Sequence, residues 1–323
     1  MKPAELKAYL ATLKGYTTKS KTTPLPVLRG VAKRGDTLTT TELDHYCELK
    51  VATSLEDGFY DDYALDLLTT KGVDTELTKS AEWGLDDYPE LQVKEWDRTR
   101  CLTQLDIDHI IEAVECVSKD TTRPALTLVA IDDNLIAGTD GYVLYATTAS
   151  PELRGTTIFL DAKMVATLKR LRKYGSWEIR TAEDGTLTQI TNGTLTLTGR
   201  LPDIRYPAIR TLLDKTKVFS TSVVLDFATI SALANKDRDT LDINPMTGEV
   251  LLESHPTGVV ARTYGEQRIT RAIETDTRRV IMPKRGEDGH ITLSVAFLKR
   301  LNRKQQSITL LTNLNSFDMI EVL

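Results

Sequence analysis

A set of landmarks runs through this chain twice in the same order, and that repetition constrains the fold more than any single motif does. Each copy begins with a helix-like stretch and a Thr/Pro/Leu cluster. Strands follow and end on a Thr-acidic step; later come a second helix and a Tyr-Pro step. The middle copy reads residues 106–119, Thr121-Thr122-Arg123-Pro124-Ala125-Leu126, Thr139-Asp140-Gly141-Tyr142, residues 161–173 and Tyr206-Pro207. The N-terminal copy reads residues 3–13, Thr22-Thr23-Pro24-Leu25-Pro26-Val27-Leu28, Thr41-Glu42-Leu43-Asp44-His45-Tyr46, residues 61–68 and Tyr88-Pro89. Recurring sheet-plus-helix units predict tandem packing, each unit against its neighbours.

The local patterns fill in the unit. Ile107, Ile110, Ile111, Val114 and Val117 recur at helical spacing, with Asp106 as the N-cap. Strands over 126–131 and 135–138 flank the Asp132-Asp133-Asn134 turn, and further strands surround turns near Asp184-Gly185 and Asn192-Gly193. Between Lys71 and Asp87 there is little room for strands, so the N-terminal copy is shortened. The C-terminal region is a third, divergent copy. It has helices over 226–234 and 294–303, strand-like runs over 249–253, 259–264 and 308–311, and a strand-like end over 317–323. At 323 residues the chain exceeds one ordinary core. The reading is an α+β protein of three tandem domains, 1–100, 101–216 and 217–323, each with antiparallel strands and two helices.

Charge is segregated. The net formal charge is −5, yet two helices are strongly cationic on one side. Over 161–173, Met164, Leu168 and Leu171 share a face, with Lys163, Lys169, Arg170 and Lys173 opposite and Arg172 at the flank. Over 294–303, Phe297, Leu298 and Leu301 oppose Lys299, Arg300 and Arg303. Lys7 and Lys14 add to the first helix. A solvated face usually mixes signs to gain i,i+4 pairs, and the helix dipole favours cations only in the last turn. A surface for phosphate is therefore expected on these residues. No aromatic ladder or base-reading motif accompanies them, which points to contact without sequence reading. The helix over 106–119 fits that surface less well: it carries His109, Glu112 and Glu115, with Lys119 and Arg123 only at its end, so an uneven positive surface is expected.

Other classes find little support. No apolar run reaches the length of a membrane span and the N-terminus has no signal-peptide core, so a cytoplasmic protein is expected. Cys47, Cys101 and Cys116 are scattered, as are the four histidines, so neither a disulfide framework nor a metal site is expected. Asp61-Asp62, Asp86-Asp87 and Asp132-Asp133 are adjacent acids that point in different directions and suit turns and caps. There is no phosphate loop, nucleophile elbow or dinucleotide fingerprint. No catalytic residue, cofactor or metal is expected.

Thr122-Arg123-Pro124-Ala125-Leu126, Thr139-Asp140-Gly141-Tyr142-Val143-Leu144, Asp161-Ala162-Lys163 and Tyr206-Pro207 resemble the middle domain of the bacterial DNA polymerase III beta subunit, the sliding clamp. Leu25-Pro26-Val27-Leu28 and Thr41-Glu42-Leu43 are similar to its first domain; residues 294–301 and the terminal strand are similar to its third. The resemblance implies a homodimeric ring with sheets outside and helices lining a central channel. It implies double-stranded DNA, a DNA polymerase and a clamp loader as partners. It also implies a peptide cleft between the middle and last domains at Leu126, Thr139, Gly141, Tyr142, Leu144, Pro207 and Leu212, with Ile320 and Val322 on the last strand. Tyr142 replaces a more usual polar residue. The short first and divergent third domains imply a phage-encoded or otherwise divergent clamp, acting in the host cytoplasm if phage-encoded. Two other classes remain: a metal-dependent DNA nuclease using the scattered acids, and a clamp-like adaptor that does not encircle DNA.

Overall fold

The structure is a computed structural model. It describes residues 1–214, apart from Lys21 and Lys94, and beyond them the backbone of the strands between Thr221 and Val322. In chain order the first copy holds α1 (Pro3–Gly15), β1 (Val31–Arg34), β2 (Thr37–Thr41), β3 (His45–Lys50), β4 (Gly58–Tyr60) and α2 (Asp62–Lys71). The second holds β5 (Arg100–Leu102), α3 (Gln104–Val114), β6 (Leu128–Asp132), β7 (Leu135–Thr139), β8 (Val143–Thr148), β9 (Thr157–Asp161), α4 (Ala162–Leu171), β10 (Trp177–Thr181), β11 (Leu187–Thr191), β12 (Leu195–Arg200) and α5 (Ile209–Asp214). The C-terminal region contributes β13 (Thr221–Asp226), β14 (Thr240–Ile243), β15 (Val250–Glu253), β16 (Arg262–Thr263), β17 (Glu266–Gln267), β18 (Thr277–Ile281), β19 (Lys284–Arg285), β20 (Ile291–Ser294), β21 (Ser307–Thr312) and β22 (Ile320–Val322).

Packing divides the chain into two compact units that cut through the middle copy. One unit comprises Met1–Asp108 and Ser150–Asp203, the other His109–Ala149 and Ile204–Leu323. The first unit is built on an antiparallel sheet in the order β4-β1-β2-β3-β12-β11-β10-β5. The β3–β12 ladder (Leu49↔Leu195 to His45↔Gly199) joins the first copy to the second half of the middle copy. Rows of buried side chains cross that joint without a break. One is Leu38, Leu49 and Leu195; another is Thr40, Cys47, Leu197, Ile190 and Ile179. In the second unit β17-β13-β21-β22-β18-β8-β7-β6 form one sheet and β16-β15-β14-β20-β19 another, and β8 pairs with β18 from Thr147↔Thr277 to Val143↔Ile281.

The repeat is visible atom by atom. In the β2–β3 turn the Leu43 N–H donates to Thr41 Oγ1 (2.9 Å); in the β7–β8 turn the Gly141 N–H donates to Thr139 Oγ1 (3.1 Å). Both central residues have left-handed backbone, Leu43 at φ 80° and Gly141 at φ 93°. Tyr88 packs on Val27, Leu28, Ala32 and Phe59 in the first copy, and Tyr206 on Ala137, Leu144 and Ile209 in the second. Among the described residues, 72–99 form no strand, only a bridge from Trp96 to Ala182. This segment is a strap. Its Ser80 N–H donates to the Phe59 carbonyl of edge strand β4 (2.9 Å), its Leu85 carbonyl accepts from Arg34 (3.0 Å), and its Asp97 N–H reaches the Thr181 carbonyl (2.9 Å). It blunts a sheet edge that would otherwise offer unpaired backbone.

Several local expectations are corrected. Helix α3 starts at Gln104, not at an Asp106 cap. Asp106 sits one turn in and accepts from the Thr103 N–H (2.9 Å) while the Asp106 N–H donates to Thr103 Oγ1 (3.1 Å), a reciprocal capping box. The helix stops at Val114, where the next amides turn back to carbonyls three residues earlier. Residues 124–127 form a 3-10 turn rather than a strand, opened by the fixed φ of Pro124, so β6 begins only at Leu128. Asp226 and Ser294 end strands β13 and β20; the remainder of the C-terminal helix expectations lies outside the described residues.

Leu43 carries a backbone conformation that costs a side-chain-bearing residue about 1 kcal/mol or more, and its side chain is exposed. Leu43→Gly should raise the urea midpoint, corresponding to a gain in unfolding free energy of up to about 1 kcal/mol after the entropy of the unfolded chain is counted. Leu43→Val should lower it.

Candidate nucleic-acid interface and partner cleft

Helix α4 is amphipathic because Met164, Val165, Leu168 and Leu171 return to one side every three or four residues, and all are buried. Asp161 caps it, accepting from the Lys163 N–H (2.7 Å) and the Met164 N–H (3.0 Å). Its far end carries Lys169, Arg170 and Lys173, all exposed, where cations complement the helix dipole. Helix α1 lies against α4: Tyr16 and Thr167 share a hydrogen bond (3.0 Å), and Arg170 donates to Thr12 Oγ1 (2.8 Å). Lys7 and Lys14 are exposed on α1, with Lys14 paired to Asp66 of α2 (2.7 Å). Arg172 pairs with Asp108. The structure thus brings Lys7, Lys14, Lys169 and Arg170 onto two adjoining helices, with Lys173 just past the end of α4. Lys299, Arg300 and Arg303 lie outside the described residues.

Lys163 departs from the expected phosphate surface. It is half-buried, its ammonium bonded to Glu42 and lying 4.6 Å from the Tyr16 ring centroid. Glu42 also meets His45 Nδ1 (2.8 Å), and the opposite ring nitrogen, Nε2, meets Asp161 Oδ2 (2.7 Å). Four charged groups from the β2–β3 turn and the start of α4 therefore form one half-buried cluster. Burial alone would lower the His45 pKa, but the hydrogen bonds to Asp161 and Glu42 raise it to about 9. The carboxyls of Glu42 and Asp161 resist their own burial penalty and sit below their ordinary values, through the bonds from His45 and, for Glu42, Lys163. Gly199 makes room: a Cβ there would lie 2.7 Å from Met164 Sδ and 3.2 Å from Asp161 Oδ2. Sequence reading missed this cluster. Its only local signal is the closeness of Glu42 and His45, which says nothing of Asp161.

The cleft residues gather in part. Thr139 (buried), Gly141 and Tyr142 (both exposed) share the β7–β8 turn. A Cβ on Gly141 would lie 3.6 Å from both Leu126 Cδ1 and Arg123 Nη1, so these two side chains flank the turn. Leu144 is a core residue, 1% exposed and packed with Ala137, Ala146 and Ile209. Pro207 is exposed beside Tyr206, whose hydroxyl donates towards the carbonyls of Leu128 (3.3 Å) and Ala137 (3.4 Å). Arg210 then ties α5 to the β6–β7 turn through the Asp132 carbonyl and Asn134 Oδ1, both at 2.8 Å. Ile320 and Val322 lie on β22, which pairs with β18 beside β8; their side chains and that of Leu212 lie outside the described residues. Arg123, Tyr206 and Arg210 were not singled out as site residues, although Thr-Arg-Pro and Tyr-Pro carried the resemblance.

The adjacent acids have separate partners. Asp61 caps α2 through the Ala64 N–H (2.9 Å), Asp62 pairs with Arg29, Asp87 accepts from the Gly84 N–H (2.8 Å), and Asp133 meets Arg210 (3.5 Å). Among the described residues no three His, Cys, Asp or Glu side chains gather as a metal site, and no helix is long and apolar enough to cross a membrane.

No family model and no curated protein matches the sequence. Solved structures do match the fold. The DNA polymerase III subunit beta of Pseudomonas aeruginosa aligns with a TM-score of 0.69 at 16% identity, over 99% of this chain and 97% of that one. The beta subunit of Thermotoga maritima aligns at 0.67 and 14% identity, over 99% and 96%. The Helicobacter pylori beta clamp, solved with a DNA ligase peptide, aligns at 0.64 and 15% identity, also over 99% and 96%. This chain has the fold of the DNA polymerase III beta sliding clamps.

Proposed function

We propose that the protein is a sliding clamp, a non-enzymatic ring subunit that encircles duplex DNA and tethers a polymerase to it. The observation that carries the reading is the clamp fold over 99% of the chain, combined with a cationic solvent face on α4 beside α1 in a chain of net charge −5. A ring holds DNA topologically, so its inner surface needs only weak attraction to phosphate, without base recognition. Exposed amines and guanidinium groups on a helix pair supply that. Lys169, Arg170, Lys173, Lys7 and Lys14 are the phosphate contacts proposed among the described residues, joined by Lys299, Arg300 and Arg303 of the third copy. Lys163 is left out because, unlike Lys14, which is exposed beside Asp66, it is half-buried and bonded to a half-buried Glu42.

The reading carries three domains bounded near Arg100 and Lys217, assembly of identical subunits into a closed ring, a clamp loader to open it, and a cytoplasmic site of action. Partner peptides dock at the β7–β8 turn, with Leu126, Gly141, Tyr142, Pro207, Leu212 and the last strand as the proposed contacts. The Helicobacter pylori clamp bound to a DNA ligase peptide supports a peptide-binding role for this fold. A few apolar anchors suffice for such a groove.

Electron microscopy of the purified protein should show closed rings; compact monomers would reduce the reading to an adaptor. Reversing Lys169, Arg170, Lys299 and Arg300 to Glu should abolish stimulation of the polymerase. Neutralising the same four should lower the salt slope of DNA retention by about one unit per lost phosphate contact. Unchanged processivity in the quadruple reversal would remove the DNA-facing assignment. At the cleft, Tyr142→Asp places a charge on an exposed turn residue. It should leave the melting temperature within about 1 °C, consistent with a surface change, and reduce capture of the polymerase; undiminished capture would move the partner site elsewhere.

A further inference from the structure

His45 sits where a neutral imidazole cannot satisfy both of its neighbours. A neutral ring has one N–H and one lone pair, whereas here both nitrogens face carboxylate oxygens, at 2.8 Å and 2.7 Å. Only the imidazolium donates to both. The charges also balance in that form: Glu42 and Asp161 against His45 and Lys163. The two oxygens of Asp161 have separate tasks. Oδ2 takes the bond from His45, and Oδ1 accepts the amides of Lys163 and Met164 that open α4. The same carboxylate is thus both the helix cap and the handle by which the β2–β3 turn holds the helix. Tyr16, at the end of α1, presents its ring edge-on to His45 at 5.8 Å and hydrogen-bonds Thr167 of α4.

We propose that His45 is a positioning residue: clamped between Glu42 and Asp161, it locks the first copy to the start of α4 and so sets where the cationic face of α4 lies. The geometry stands by itself; its consequence for DNA rests on the reading of that face given above. The charged groups facing His45 are Glu42 from its own turn and Asp161 and Lys163 from the start of α4. Tyr16 faces it from α1, its hydroxyl held neutral by burial, and β12 presents Gly199, which carries no charge. The His45 pKa rises from 6.5 to about 9, so the stabilisation is complete below the ordinary value and is lost as pH climbs through 9. Glu42 and Asp161 are depressed, so on the acid side the lock holds until pH falls through their lowered pKa values. The lock is closed throughout the neutral range.

The test uses the full chain. The Cε1 proton of His45, followed by NMR, should titrate with a midpoint near 9. His45→Gln should speed amide exchange over the first turn of α4 by roughly tenfold or more, leaving β10 and β11 protected, because local opening draws on local contacts. A midpoint near 6.5, or α4 protection unchanged in His45→Gln, would overturn the proposal. Should His45→Gln not fold, Glu42→Gln keeps the shape and removes one carboxylate charge; it must lower the His45 midpoint, and an unmoved midpoint again overturns it. Stimulation of the polymerase separates the two readings. Faster exchange in α4 with full stimulation supports the lock and removes the DNA-facing assignment, whereas faster exchange with reduced stimulation supports both.

Discussion

The ladder between β3 and β12 is the interaction on which the first unit depends. It pairs strands from two copies of the repeat, so the inward rows of one copy continue directly into the other: Leu38 and Leu49 into Leu195, Thr40 and Cys47 into Leu197, Ile190 and Ile179. All of these side chains are fully buried. A slip of one residue would turn every one of them to the opposite face, so burial enforces the register. The same register sets His45 directly across from Gly199, and the missing Cβ there is what lets Asp161 and Met164 come close. The charged lock is therefore a consequence of strand pairing. In the second unit the β8–β18 ladder makes the equivalent joint between the middle and C-terminal copies.

Cations in this chain serve two ends, and burial separates them. Lys163 and His45 neutralise carboxylates inside a joint, where removing either partner would strand a half-buried charge. Lys169 and Arg170 in the last turn of the same helix, and Lys173 just beyond it, are exposed. A helix fixed at its first turn and cationic at its last is suited to presenting charge at a defined place while leaving each contact weak. A sliding ring would need that combination, since tight binding would stop it moving.

The shortened first copy shows how the fold tolerates loss of strands. Where the second copy continues from its second helix into β10, β11 and β12, the first continues into the strap over 72–99. Trp83, Leu85 and Tyr88 fill apolar space against Val27, Leu28 and Phe59, and the Ser80 N–H satisfies the Phe59 carbonyl of edge strand β4. The Tyr-Pro landmark is kept in the shortened copy, where Tyr88 is a core residue, while its counterpart Tyr206 is partly buried against Ala137, Leu144 and Ile209.

Much of this was legible in the residues. The repeat order, the α4 faces, the Asp184-Gly185 and Asn192-Gly193 hairpins and the shortened first copy all follow from periodicity and turn chemistry, which act over a few residues and leave their mark in sequence. The Thr41 to His45 turn could be matched to the Thr139 to Val143 turn even though Leu43 stands where the second copy has Gly141, because the threonine and the acid that shape the turn are present in both. Boundaries were less legible. Asp106 and Thr103 both can cap, and only the bonds of the folded chain decide that Asp106 is the inner partner. What the tertiary structure alone decided is which charges are spent inside. On a helical wheel Lys163 is indistinguishable from Lys169, and His45 is one scattered histidine among four. Their roles depend on His45 meeting Asp161 across 116 residues of chain, a contact written in the sheet register and in the space left by Gly199 rather than in any local pattern.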